Sequence, residues 1–108
     1  MTLPASIKIG PINYAVSEEK DLHDVDGNYK KSWLNGIILN SSARVKVNAE
    51  MAYDVKVATL WHEVVHGILN NDGRTDDNEE HVIALGYGLM QVIRDNPELI
   101  RYTLGNQD

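Results

Sequence analysis

The 108-residue chain contains no cysteine, no phenylalanine and only three prolines. Without cysteine there is no disulfide, no iron–sulfur cluster and no thiolate zinc site, so histidine and carboxylate are the only strong metal ligands on offer. Without phenylalanine, the aromatic part of the core has to come from Trp33, Trp61 and five tyrosines. Positive charge is scarce as well. Ten Lys+Arg stand against sixteen Asp+Glu, a net charge of −6, which argues against a nucleic-acid face or a polybasic membrane surface. No apolar run approaches the roughly 18–20 residues that cross a bilayer, and no basic start precedes an apolar stretch. A cytoplasmic protein with neither nucleic acid nor membrane as partner is expected. The acidity is uneven: the stretch 72–80 (DGRTDDNEE) holds five acids and one arginine.

The length allows one domain, residues 1–108, with a modest core. Its first half reads as short strands. Ile7-Lys8-Ile9 and Ile12 to Val16 alternate around Gly10-Pro11, and Gly36 to Asn40 pairs with Arg44 to Val47 across an Asn40-Ser41-Ser42 turn. Residues 17–33 read as a polar connection. The second half is helical: one helix from an N-cap at Asn48 to about Asn70, a second from about Asn78 to Asp95, and a short third from Pro97 to Leu104 with Asn96 as cap and Gly105 as stop. Strands followed by helices predict an α+β fold, with a small, mostly antiparallel sheet of three to four strands packed on two antiparallel helices.

Along the first helix, Met51, Val55, Ala58, His62, Val65 and Leu69 share one face, and Tyr53, Val57, Leu60, Val64 and Ile68 share another. Between them runs a narrow polar stripe of Lys56, Thr59, Glu63 and Asn70, with His66 beside it, suited to lining a cleft. His62-Glu63-Val64-Val65-His66 is an HExxH sequence centred on this helix. Residues i and i+4 project from one face, so two imidazole nitrogens can converge on one zinc ion at ~2.0–2.1 Å. Glu63, offset by about 100°, stands beside the ion and is placed to take a proton from a water that the metal polarises.

A catalytic zinc takes a third protein ligand and keeps one position open. Asp72 would be that ligand in a HExxHxxGxxH/D pattern, but Leu69 occupies the glycine position. His81 points about 100° from the centre of the second helix's buried face. Glu79 and Glu80 remain, and Glu79 lies nearer the face that packs on the first helix, so Glu79 is preferred with Glu80 as the alternative. With Asp77 as N-cap, Glu80 would instead complete a capping box, and with Asp76 as cap Glu79 would do so. Tyr53, Tyr87 and His23 are the candidates to steady an oxyanion.

The Ile-Lys-Ile-Gly start, the Gly-Ile-Ile-Leu and Val-Lys-Val strands, Thr59 through Leu69 and Glu79-Glu80-His81-Val82 through Pro97 resemble the small HExxH proteins encoded by phages and prophages. Those are similar in outline to minimal gluzincins and to peptidases that inactivate repressors of mobile elements. The resemblance implies a zincin-like core and zinc (Zn2+) held by His62, His66 and an acid of the Glu79-Glu80 pair, with Glu63 as general base. It also implies a peptide or protein substrate such as a phage or host regulator. The rival expectation is a non-catalytic phage-encoded binding module that keeps the metal-site fold.

Overall fold

The computed structural model describes residues 2–22, 35–73 and 78–105. Trp33 and His23 lie outside them. The chain runs β1 (Ser6–Ile9), β2 (Ile12–Glu19), β3 (Gly36–Leu39), β4 (Arg44–Asn48), α1 (Tyr53–Asn71), α2 (Glu79–Asp95) and α3 (Pro97–Leu104), an α+β fold.

β1 and β2 form an antiparallel hairpin in which Ile9 opposes Ile12 across Gly10-Pro11. Gly10 has φ +59°, a left-handed conformation that L side chains rarely adopt. It also lies under the helix: a β-carbon there would come 2.5 Å from Nδ2 of Asn71, which donates to the Ile9 carbonyl at 3.0 Å. β3 and β4 pair antiparallel, with Ile38 opposite Val45. The sheet order is β1-β2-β4-β3, so the central pair, β2 with β4, is parallel and the sheet is mixed. β2 also reaches Glu19, three residues beyond the alternating Ile12–Val16 stretch, because Ser17, Glu18 and Glu19 align with Lys46, Val47 and Asn48. Glu19 pairs with Lys46 at 3.2 Å.

One face of the sheet is covered by α1. Ile9, Tyr14, Val45 and Val64 form the core, with Ile38, Leu60 and Trp61 packed against it. Tyr14 is wholly buried, and its hydroxyl donates to Asn40 Oδ1 at 3.0 Å. That bond offsets the cost of taking a phenol out of water.

The start of α1 differs from expectation, whereas α3 starts where expected but without a side-chain cap bond. Asn48 does not cap α1: it closes β4, and its Oδ1 accepts from the Glu50 N–H, making a local turn, so the helix begins at Tyr53 after Ala52, which gives no side-chain cap. Asn96 holds the N-cap position of α3 but turns its amide back to the Val92 carbonyl. α1 and α2 lie antiparallel, since Asp54 meets Arg94 at 3.0 Å at one end and His66 meets Glu79 at the other. No helix among the described residues is long and apolar enough to cross a membrane.

Candidate metal centre

The helical period turns His62 and His66 toward α2 in the stripe that also carries the buried Ala58 and Val65. α2 opens opposite them. Its N-cap is Asn78, whose Oδ1 accepts from the backbone N–H of Glu80 at 2.9 Å and of His81 at 3.3 Å. This corrects the expected capping boxes, because Glu79 and Glu80 become the first and second helical residues and neither occupies the third. Asp76 and Asp77 lie outside the described residues. With Asn78 serving the orphan N–H groups, the Glu79 carboxylate is released to reach across to α1.

That carboxylate meets both histidines. Oε2 of Glu79 lies 3.3 Å from Nε2 of His62, and Oε1 lies 2.9 Å from Nε2 of His66. The two imidazoles are stacked edge to face with centroids 4.8 Å apart. Donor atoms bound to one tetrahedral zinc at ~2.0–2.1 Å stand about 3.3 Å from one another, so these separations fit a two-histidine, one-carboxylate donor set. Glu80, next in the helix, engages Asn78 through its N–H. His81 is exposed and its N–H goes to the same cap, and Asp72 ends α1 as its C-cap.

Glu63 belongs to the same cluster but differs in environment. Its carboxylate and the two imidazole donors lie within 4.8 Å of one another, yet Glu63 is only 5% exposed whereas the Glu79 side chain is 60% exposed. Burial pushes the Glu63 carboxyl up to about 7; His66 pulls it down and Glu79 pushes it further up. Burial lowers His62, opposed by the Glu79 carboxylate and assisted by His66. Of the two acids, Glu79 is exposed and meets both imidazole nitrogens, whereas Glu63 is enclosed and its carboxyl is held in its neutral form to higher pH.

The group opens into a cleft of about 420 Å³. Gly36 of β3 and Thr59 form one wall beside Glu63, and Ile83 and Tyr87 of α2 stand on the other side. Tyr87 is thus the oxyanion candidate that lines the cleft. Tyr53 belongs to a separate cleft of about 490 Å³ with Leu3, Lys56 and Leu60, and carries the Arg94 guanidinium 5.7 Å from its ring centroid. His23 lies outside the described residues. Sequence reading missed Gly36, because a contact between an edge strand and the middle of a helix leaves no local pattern. Of the polar stripe, Thr59 and Glu63 line the cleft, while Lys56 is taken up by Glu18 at 3.1 Å.

The chain matches no protein-family model, no curated protein and no solved structure at a significant level.

Proposed function

We propose that the chain is a zinc-dependent metallopeptidase acting in the cytoplasm on a peptide or protein substrate, in the manner of the small phage-encoded HExxH proteins it resembles. The observation that carries this reading is the meeting of both Glu79 oxygens with the Nε2 atoms of His62 and His66, with the buried Glu63 alongside.

His62, His66 and Glu79 would hold the ion. Zinc, when bound, supplies Lewis acidity that polarises a peptide carbonyl and brings the pKa of water to about 7. Glu63 accepts the proton from the water whose oxygen attacks the carbonyl carbon, and returns it to the amine nitrogen as the carbon–nitrogen bond breaks. Its enclosure between Thr59 and Gly36 keeps bulk water from competing for that proton. The Tyr87 hydroxyl, at the other side of the cleft, is the group available to steady the oxyanion. Among the described residues β3 ends the sheet order, pairing with β4 on one side, and its Gly36 borders the cleft. An extended peptide added to that edge would run past Glu63.

The test is metal analysis with four variants and a peptide library. His62→Ala is expected to lose zinc, Glu63→Gln to keep zinc and lose cleavage, and Glu79→Gln to bind zinc more than about a hundredfold more weakly while Glu80→Gln binds normally. Zinc-free protein after zinc supplementation would overturn the reading. A second reading, a non-catalytic binding module, draws on α3, where no residue is buried and Leu99, Tyr102 and Leu104 are exposed. Zinc binding without cleavage of any peptide would favour it.

A further inference from the structure

We propose that Gly86 is a positioning residue for the metal centre: its missing side chain sets how closely α2 lies on α1 at His62, and thereby whether the Glu79 carboxylate reaches both histidines. This rests on the metal-centre reading above.

A β-carbon on Gly86 would lie 3.0 Å from the backbone nitrogen of His62, 3.1 Å from its Cα and 3.2 Å from the carbonyl oxygen of Ala58. All three are main-chain atoms of α1, which have no rotamer to turn away. Any side chain at 86 therefore moves one helix against the other. Glu79 precedes Gly86 by seven residues, two turns and about 10.5 Å along the same face of α2. The wholly buried Val82 lies between them on the same contact. A helix transmits a displacement along its axis as a rod, so a shift of a few tenths of an ångström at Gly86 is delivered to a carboxylate whose contacts are 2.9 and 3.3 Å.

Glycine is unfavourable in a helix interior, and at Gly86 the close approach to the α1 main chain supplies a reason for it. Gly88 provides the contrast: two residues on in the same helix, a β-carbon there would meet nothing within 4 Å. The two glycines make a matched pair for experiment, since alanine raises helix propensity equally at both and disturbs the interhelical contact at one.

The experiment is Co2+ titration, read by visible absorption, of wild type, Gly86→Ala, Gly88→Ala, Glu79→Gln and the double variant Gly86→Ala/Glu79→Gln, with far-ultraviolet circular dichroism for folding. Gly88→Ala is expected to bind Co2+ with wild-type affinity and spectrum. Gly86→Ala is expected to bind roughly tenfold more weakly, with its absorption bands shifted toward those of Glu79→Gln. The double variant should bind no more weakly than Glu79→Gln alone, because the glycine acts through that carboxylate. Should Gly86→Ala not fold, Val82→Ile thickens the same contact nearer Glu79, and the same loss and spectral shift are expected of it. Wild-type binding by the folded variant, or losses from Gly86→Ala and Glu79→Gln that simply add, would overturn the role of Gly86 and leave the metal centre standing. A wild-type protein that binds neither Co2+ nor Zn2+ would overturn both.

Discussion

Gly36 and Glu63 approach so closely that a β-carbon on the glycine would lie 3.3 Å from Oε2 of the carboxylate. The same carbon would lie 2.5 Å from Cγ2 of Thr59 and 3.2 Å from the Lys46 carbonyl oxygen. The first strand residue of β3 is therefore the wall that encloses Glu63, and its lack of a side chain is what permits the enclosure. Gly36→Ala should cost about 1–3 kcal/mol by denaturant unfolding, as overpacked contacts do. It should also reduce peptide cleavage with zinc stoichiometry unchanged. A variant of wild-type stability would mean that β3 yields freely and does not hold Glu63.

Asn78 both starts α2 and releases Glu79. Asn78→Ala is expected to lose about 1 kcal/mol of stability and to weaken zinc binding, while Asn78→Ser, which restores an N-cap oxygen, should recover both. Urea unfolding of the metal-free protein and a competitive zinc titration measure the two effects separately. Equal zinc affinity in Asn78→Ala and wild type would show that the cap does not govern the carboxylate.

The buried acid imposes a pH dependence on the metal-free protein. Glu63 titrates near 7 in the fold against an ordinary value of 4.5, so across that window the folded chain holds a proton that the unfolded chain releases. Its contribution is fully present below about 4.5 and is lost as pH rises through 7. His62 acts in the opposite sense: its value is lowered from 6.5, so the folded chain binds less of that proton, and stability falls as pH drops below 6.5. The two partly cancel in wild type. Glu63→Gln removes the first, so in chelator its stability should rise with pH between 5 and 7. The wild-type-minus-variant difference should shift by on the order of 3 kcal/mol across 4.5 to 7. Parallel curves for the two proteins would refute the assignment.

Zinc that binds only the folded chain stabilises it by mass action. At free zinc about 100 times the dissociation constant, stability should rise by about 2.7 kcal/mol, seen as a higher Tm and reversed by chelator. His62→Ala should show no such shift. A Tm unmoved by zinc in wild type would count against the centre.

Much of this was legible from local signals. The Gly10-Pro11 hairpin, the ends of α2 and α3 at Asp95, Pro97 and Gly105, and the HExxH spacing are all written within a few residues of where they act. The azimuth of Glu79 on α2 also pointed to the face on which the structure finds it. What escaped was set by distant partners. Ser17, Glu18 and Glu19 look like loop until β4 lies parallel beside them. Asn48 looks like a helix cap until its side chain is spent on the Glu50 N–H. The true cap of α2 stood one residue beyond Asp77, and several Asn and Asp residues in a row cannot be told apart by type alone, because each can offer an oxygen to the same N–H groups.

The proposed metal donors and the proposed proton acceptor draw on different parts of the chain, which bears on how it matures. His62, His66 and Glu79 sit on consecutive helices, Glu79 following His66 by 13 positions, whereas the wall over Glu63 comes from the sheet. Contacts near in sequence close with little loop entropy, and those with a distant strand come later. Co2+ colour should therefore appear during refolding before protection of the β3 amides from exchange, and the reverse order would contradict this. If the centre holds zinc, a newly made chain can capture its ion before it can use it. If it also cleaves peptides, as proposed, that competence comes only once β3 docks over Glu63, which spares the unfinished chain from its own activity.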